Sequence, residues 1–282
     1  MGMSWDEAIQ ALTAPGAPFE VVEADVLGQR LRVFRRTPPS LRELFALSRA
    51  RGEATFLVYE DERWSFAEVM AKVDALGAAL VSRYGIQPGD RVAIAMRNYP
   101  EWVVAFAAIT SIGAVSVSLN AWWTSDELDY ALRDSGSRVV IADAERVARI
   151  AQLPARDLGV IAVRSPGALP AGASRWEEIV VPGAPLPDVR VLPDMDATIL
   201  YTSGTTGHPK GAVSTHRAVL SALLAFACRA AINAQIGEGA PKDHRWPTSF
   251  VLVVPLFHVT GCVPVMLSCF AAGCKLVMMY KW

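Results

Sequence analysis

Short apolar runs and amphipathic stretches alternate along the first half of the chain. Residues 55–59 and 91–96 are apolar runs typical of buried strands, and between them the apolar residues fall on one helical face that stops at Gly85. The same pattern predicts a helix over 100–112, strands over 114–119 and 137–142, and a helix from Thr124 to Asp134 with a capping box at Glu127. This alternation predicts an α/β fold of largely parallel sheets flanked by helices.

The pattern changes at a proline-rich stretch from Pro154 to Pro193, which predicts an irregular connector with one strand over residues 159–163. Regular alternation resumes at Ala197. We therefore predict a lead-in over residues 1–39, a first α/β subdomain over 40–153, a connector over 154–196, and the start of a second α/β subdomain over 197–282.

The segment over residues 250–274 contains no Lys, Arg, Asp or Glu and is long enough to span a bilayer. Pro255, Gly261, Pro264 and Gly273 divide it into shorter pieces. We predict a strand over 250–254, a helix over 259–272 and a strand over 274–279, which together belong to a buried sheet region. No transmembrane span is predicted.

The composition fits a folded domain and excludes several classes of function. The 282 residues are 52% hydrophobic and 20% charged, with a formal net charge of −1. Such a chain buries a sizeable core and offers no bulk attraction to nucleic acid or anionic lipid. The four cysteines form no CxxC pair, so neither a zinc site nor a redox motif is indicated, and free thiols fit the cytoplasm. The N-terminus has no basic start and apolar run of a signal peptide.

The most informative chemistry lies in the turn after a predicted strand over residues 198–201. This turn holds hydroxyls, glycines and one lysine: Thr202, Ser203, Gly204, Thr205, Thr206, Gly207 and Lys210. Glycines let backbone N–H groups approach an anion, hydroxyls donate to phosphate oxygens and lysine adds a charge, so the set suits a polyphosphate. It is not a Walker A loop, because Pro209 precedes the lysine and Gly211 follows it. From composition alone, a ligand-free hairpin or surface loop is the alternative.

The order Thr-Ser-Gly-Thr-Thr-Gly-x-Pro-Lys-Gly resembles the phosphate-loop signature of the AMP-forming acyl-CoA synthetases, the fatty-acid–CoA ligases of the adenylate-forming superfamily. Segments at 89–94, 118–128 and 254–261, the last around Pro255-Leu256-Phe257-His258, are similar to that family's and stand in the expected order. The family often has Pro after Asn120, where this chain has Ala121. The resemblance covers residues 40–282 and implies the layered N-terminal domain of an adenylate-forming enzyme, incomplete in this chain.

The resemblance implies a two-step reaction. A carboxylic acid, expected to be a fatty acid, reacts with ATP and Mg²⁺ to give an acyl-adenylate, and coenzyme A then accepts the acyl group. The implied phosphate-binding set is Thr202, Ser203, Gly204, Thr205, Thr206, Gly207 and Lys210, and His258 is implied to border the carboxylate and acyl pocket. Without the resemblance, a lone histidine in an apolar segment reads as a core residue. An acyl-AMP ligase that loads a carrier protein, and a non-catalytic module with a vestigial phosphate loop, are the alternatives.

The family's later motifs, which bind adenine and ribose and supply the adenylation lysine, do not occur in this sequence. We therefore expect the N-terminal portion of a longer protein, without the rest of the N-terminal domain and the small C-terminal domain, and inactive alone. No catalytic or metal-binding residue is assigned within it. The expected partners are the small-molecule acid, ATP and coenzyme A, with no nucleic acid. The pair Trp122-Trp123 is expected to pack, while peripheral membrane contact, acid class and oligomeric state stay open.

Overall fold

The structure, a computed structural model, describes residues 3–202, 209–237 and 247–280. The α-helices are α1 (Trp5–Thr13), α2 (Leu41–Ser48), α3 (Phe66–Ser82), α4 (Pro100–Ser111), α5 (Ser125–Asp134), α6 (Ala144–Ile150), α7 (Trp176–Ile179), α8 (His216–Gln235) and α9 (Ser268–Ala272). The strands are β1 (Val21–Val26), β2 (Gln29–Phe34), β3 (Thr55–Tyr59), β4 (Glu62–Ser65), β5 (Arg91–Ala95), β6 (Val115–Ser118), β7 (Val139–Asp143), β8 (Gly159–Val163), β9 (Ala173–Arg175), β10 (Asp196–Thr202), β11 (Lys210–Thr215), β12 (Ser249–Leu252) and β13 (Lys275–Met278). A 3-10 turn (Arg49–Arg51) follows α2, and a π-helical segment (Gly261–Leu267) leads into α9.

Most of the strands form two sheets. The larger sheet has seven strands in the order β11-β10-β6-β5-β7-β8-β9, parallel except for the antiparallel hairpin of β10 and β11. The smaller sheet has four strands in the order β12-β13-β3-β4, antiparallel only between β3 and β4. The prediction of largely parallel sheets flanked by helices is confirmed.

Helices cover both faces of the larger sheet. Along β5, Val92 and Ile94 belong to one core cluster with α3 and α4, whereas Ala93 and Ala95 belong to a second cluster with α5 and α6. This alternation is the two-residue period of a strand. The first cluster continues into the smaller sheet, so α3 and α4 lie between the two sheets. Every residue of α4 is buried, as expected of a helix that is covered on all sides.

Strands from both sides of the proline-rich connector enter both sheets. The strand β10 pairs with β6 in the larger sheet, and β13 pairs with β3 in the smaller one, where Leu276 lies opposite Leu57. The predicted subdomain boundaries therefore do not coincide with sheet boundaries, and the division into subdomains stays a prediction. The strand predicted inside the connector is confirmed as β8. The connector also contains β9 and α7, whose three and four residues are too few to show a periodicity.

The lead-in is folded rather than extended. In α1, Ala8 and Leu12 pack against Cys228 and Ile232 of α8, and β1 pairs with β2 as an antiparallel hairpin. The lead-in thereby covers one side of α8. Among the described helices, α8 is long and apolar enough to cross a bilayer, by length and composition alone; core helices of soluble proteins pass the same test.

The apolar segment over residues 250–274 is divided as the prolines and glycines predict. It contains β12, the π-helical segment and α9, with Pro264 inside the π-helical segment. The predicted helix over 259–272 is confirmed: these residues are helical throughout, and the stretch Gly261–Leu267 within them is π-helical. Because proline has no N–H to donate, it removes one helical hydrogen bond at this point.

Candidate functional site

The hairpin of β10 and β11 carries the first and last polar residues of the Gly/Thr-rich turn. Thr202 and Lys210 are directly paired, and Thr202 Oγ1 donates to the Lys210 carbonyl (3.4 Å). Directly opposite side chains in an antiparallel pair share one face, with Cβ atoms about 5 Å apart. Both residues are exposed, so a hydroxyl and an ammonium group lie side by side at the end of the sheet. Ser203, Gly204, Thr205, Thr206 and Gly207, predicted with them, lie outside the described residues.

On its other face, the hairpin is fixed to α5 through Tyr201. The Tyr201 hydroxyl donates to Asp134 Oδ2 (2.6 Å), and its ring meets Trp123 edge-on at 5.6 Å. Burial raises the pKa of Tyr201, so the hydroxyl stays protonated and keeps donating. Gly211 lies opposite, and a Cβ there would stand 2.8 Å from Ile199 Cγ2. Gly211 is therefore needed for close packing against Ile199, in addition to being part of the sequence signature.

His258 lies exposed in a tight turn after β12. Its N–H donates to the Pro255 carbonyl (3.2 Å), and its own carbonyl accepts from the N–H groups of Gly261 and Cys262 (both 3.1 Å). The Thr260 N–H donates to Nδ1 of the ring (3.3 Å). A neutral imidazole that accepts at Nδ1 carries its proton on Nε2, so His258 offers an Nε2–H donor. The core-histidine interpretation does not fit this exposed position.

Asn98 joins the His258 turn to the end of β5. Its buried side chain donates through Nδ2 to the Val254 carbonyl (3.0 Å) and accepts at Oδ1 from the Leu256 N–H (2.9 Å). Because β5 stands two strands from β10, the structure brings His258, Thr202 and Lys210 to the same end of the larger sheet. Ligands of open α/β sheets bind at this end, beyond the carboxyl ends of the strands.

Arg146 holds the turn that follows β6. Its buried guanidinium donates through Nε to the Ala121 carbonyl (2.8 Å) and through Nη1 to both carboxylate oxygens of Asp143 (2.9 Å each). Asn120 Oδ1 accepts from the Trp122 N–H (2.9 Å). The position where the family often has proline is thus fixed here by hydrogen bonds.

The two adjacent tryptophans have different surroundings. Trp123 is buried against Tyr201, which confirms packing for this residue. Trp122 is half-exposed, and its ring meets Phe257 edge-on at 5.2 Å. Trp122 therefore connects the turn after β6 to the residue that precedes His258.

The sequence analysis missed Asn98 and Arg146. Both lie at strand ends of the larger sheet, outside the motifs that carried the resemblance. Two signals pointed to them: a polar residue soon after the buried strand β5, and an Asp-x-x-Arg pattern at the start of α6.

The cysteines are not candidates for nucleophilic catalysis. All four are free, and burial raises the pKa of each thiol, that of Cys269 to about 12. A protonated thiol is a weak nucleophile at neutral pH. Among the residues that the structure describes, no three His, Cys, Asp or Glu side chains are grouped to hold a metal ion. The hydroxyl, the ammonium group and the imidazole N–H instead suit the binding of an anion.

Comparison with known proteins gives a consistent result. The family described as AMP-binding enzyme matches residues 45–282. A long-chain-fatty-acid–CoA ligase, FadD13 of Mycobacterium tuberculosis, is 33% identical over 215 residues, which are 74% of this chain and 38% of the relative. A 4-coumarate–CoA ligase of Oryza sativa is 29% identical over 78% of this chain and 39% of the relative. The chain thus spans about two fifths of the length of these curated relatives.

Solved structures agree on the fold. The N-terminal domain of FACL13 from Mycobacterium tuberculosis superposes with a TM-score of 0.68 at 25% identity, covering 87% of this chain and 58% of that one. A long-chain-fatty-acid CoA ligase from Rhodopseudomonas palustris gives a TM-score of 0.71 at 23% identity, over 88% of this chain and 58% of that one.

Proposed function

The chain belongs to the AMP-binding enzyme family, and from that membership we propose that the protein activates a carboxylic acid with ATP and transfers its acyl group to coenzyme A. In the first step a carboxylate oxygen attacks the α-phosphorus of ATP, the bond to the bridging oxygen breaks, and pyrophosphate leaves. In the second step the thiol of coenzyme A loses its proton and attacks the carbonyl carbon. The acyl C–O bond then breaks, and AMP leaves with the bonding electrons.

The observation that carries this proposal is the pairing of Thr202 with Lys210. Their exposed side chains share one face of the hairpin at the carboxyl end of the sheet. A compact ammonium charge, beside a hydroxyl that can rotate from the Lys210 carbonyl to a phosphate oxygen, fits the terminal phosphates of ATP. Magnesium, bound to those phosphates, would neutralise further charge. We propose that Ser203, Gly204, Thr205, Thr206 and Gly207 complete this set.

We propose that His258 donates a hydrogen bond to the carboxylic acid substrate. The Thr260 N–H fixes the ring through Nδ1, which leaves the Nε2–H free to donate to a carboxylate or to an adenylate oxygen. A donor that is already oriented stabilises developing charge with little reorganisation when the reaction occurs. His258 therefore positions the group that reacts rather than transferring a proton.

A fatty acid is the proposed substrate class. Fatty-acid–CoA ligases are among the relatives of this chain, although aryl-acid ligases are as well. An apolar groove of about 680 Å³ supports the choice. Leu220 and Phe226 of α8 line it, as do Pro264 and Ser268 of the segment that follows the His258 turn. The groove is large enough for an alkyl chain.

The test uses the protein in the full length that its gene encodes. We expect ATP–Mg²⁺ to bind in isothermal titration and the Lys210→Ala substitution to weaken binding at least about 10-fold, because a charge-assisted contact is lost. Lys72→Ala is the matched control. Lys72 belongs to α3 and lies over the ring of Trp64 in β4, away from the hairpin that carries Lys210. Acid-dependent pyrophosphate release is then measured with hexanoate, dodecanoate, hexadecanoate, benzoate and 4-coumarate.

Equal binding by the Lys210→Ala and Lys72→Ala proteins would contradict the phosphate assignment, and no pyrophosphate release with any acid would contradict the ligase. We propose that the 282-residue chain alone does not turn over, because it covers about two fifths of its relatives' length. Acyl-CoA formation by the isolated chain would show that idea to be wrong. We also propose a cytoplasmic location, where the free thiols stay reduced.

A further inference from the structure

Arg97 stands just past the end of β5, between two aromatic rings. The centre of its guanidinium lies 5.1 Å from the centroid of the Trp122 ring and 5.7 Å from that of Tyr280. Contact with two aromatic rings restricts a guanidinium group, and its N–H bonds then point away in its own plane. An arginine held in this way is already oriented for an acceptor.

The described residues provide no acceptor for the buried Nε–H of Arg97, and none of their ion pairs includes Arg97. Asp143 accepts the Arg97 backbone N–H (3.0 Å), but both of its oxygens also accept from Arg146 (2.9 Å each). Arg146 therefore neutralises the charge of this carboxylate. A buried donor without an acceptor is destabilising, so such a group calls for a partner.

The sheet register places Arg97 between the two parts of the candidate site. Ser118 pairs with both Ile94 and Leu200, so the ends of β5, β6 and β10 are level. Since β5 lies two strands from β10, Arg97 is about 10 Å across the sheet from the hairpin that carries Thr202 and Lys210. On the other side, Trp122 touches Phe257, the neighbour of His258.

We propose that Arg97 binds the carboxylate of the acid substrate. This inference rests on the proposed function and adds a specificity residue to it. The guanidinium stands on the Phe257 side of the site rather than on the hairpin, which favours the acid over the terminal phosphates. Its two-pronged N–H geometry matches a carboxylate, and the surrounding rings lower the local dielectric and strengthen the pair. Arg97 thereby holds the acid by its head group before the carboxylate attacks ATP.

The experiment compares acids with their uncharged amides. We use the acid of the panel that wild-type protein turns over fastest, together with its primary amide as a competitive inhibitor. We expect Arg97→Gln to raise the KM for the acid at least about 10-fold, because a partner of a buried charged contact is lost. The KM for ATP–Mg²⁺ and the inhibition constant of the amide stay within about twofold, since neither relies on this charge.

Arg97→Lys keeps the charge but not the two-pronged geometry, so it recovers part of the affinity for the acid. Arg30→Gln is the charge-matched control, because Arg30 pairs with Glu23 on the exposed β1–β2 hairpin. Thermal unfolding checks that each variant folds. If Arg97→Gln does not fold, Arg97→Lys is judged by the same two KM values and the same inhibition constant.

Three results for Arg97→Gln would overturn the inference: an unchanged KM for the acid, an equal loss of affinity for the acid and for the amide, or a rise confined to the KM for ATP–Mg²⁺. Failure of the proposed function would look different, because wild-type protein would then release no pyrophosphate with any acid.

Discussion

His216, the first residue of α8, is fully buried and joins two helix starts. Its Nδ1 accepts from the Leu41 N–H (3.2 Å), the first N–H of α2, which no helical carbonyl satisfies. The imidazole must stay neutral at Nδ1 to accept this bond. Burial accordingly lowers the pKa of His216 to about 4. The burial of His216 depends on the distant helix α2, so the local sequence does not show it.

The unfolding free energy is expected to depend on pH through His216. Its folded pKa lies below the unfolded value near 6.5, so its contribution is complete above pH 6.5 and is lost as pH falls toward 4. Between pH 7 and pH 5 this amounts to about 2 kcal/mol. Urea unfolding at both pH values measures it. The His216→Asn variant keeps an acceptor but does not titrate, so its unfolding free energy should fall correspondingly less between pH 7 and pH 5. Equal falls in the wild-type and His216→Asn proteins would refute the assignment.

At the scale of elements, the His258 turn depends on Gly261. A Cβ at this position would stand 2.3 Å from the Pro255 carbonyl oxygen, which is backbone and has no room to move aside. The missing side chain allows the π-helical segment to begin directly against the turn. Pro255 and Gly261 at the two ends of the turn thus lie in contact and fix the position of His258 between them.

Gly261→Ala is expected to destabilise the fold by about 2–3 kcal/mol, because the added methyl group displaces backbone. It should also lower acid-dependent turnover of the remaining folded protein, since His258 moves with the turn. Gly28→Ala is a control in the exposed β1–β2 turn, where a Cβ meets nothing and only the positive φ of 81° costs about 1 kcal/mol. Urea unfolding that shows the same loss for both variants would mean that the close approach at Gly261 is unimportant.

The long periodic elements follow from sequence because their signals are local. The predicted capping box of Thr124 and Glu127 opens α5, and β3 spans the predicted residues. The hairpin of β1 and β2 was not predicted, since alternation is weak in a strand whose residues are mostly exposed. The π-helical start at Gly261 was also missed, because an apolar run shows helical character but not which hydrogen bonds Pro264 removes.

The candidate site divides in the same way. Thr202, Lys210 and His258 stand in motifs and were predicted, whereas Arg97 and Asn98 were not. Arg97 owes its placement to Tyr280, far along the chain, and to the order of strands in the sheet. Strand order is a property of the whole fold, so local pattern does not reveal it.

At the scale of the whole molecule, Arg164 joins the two sheets. It follows β8 of the larger sheet and donates to Glu101 of α4 (2.9 Å) and to Glu62 of β4 in the smaller sheet (2.7 and 2.9 Å). The guanidinium also lies over the rings of Tyr59 and Tyr99, at 5.2 and 5.0 Å. Burial raises the pKa of Glu101, and hydrogen bonds from Arg164 oppose that rise.

Arg164→Met is expected to lower the unfolding free energy at pH 7 by about 3 kcal/mol, because it leaves Glu101 buried without its partner. Arg30→Met is the control: side chains of Arg30 and Glu23 are 78% and 64% exposed, and such pairs contribute less than about 1 kcal/mol. Urea unfolding of the two variants compares them directly. A loss in Arg164→Met no greater than in the control would mean that this cluster does not hold the sheets together.

The position of β13 between β3 and β12 also sets when the smaller sheet is completed during synthesis. Leu57 meets its partner only when Leu276 has been made, 276 − 57 = 219 residues later. At ribosomal rates of about 5–20 residues per second, that interval is about 10–40 s. Throughout it, one side of β3 has unpaired backbone groups, the kind of edge that other chains join. A nascent chain of this protein therefore has to keep that edge shielded until β13 has been translated.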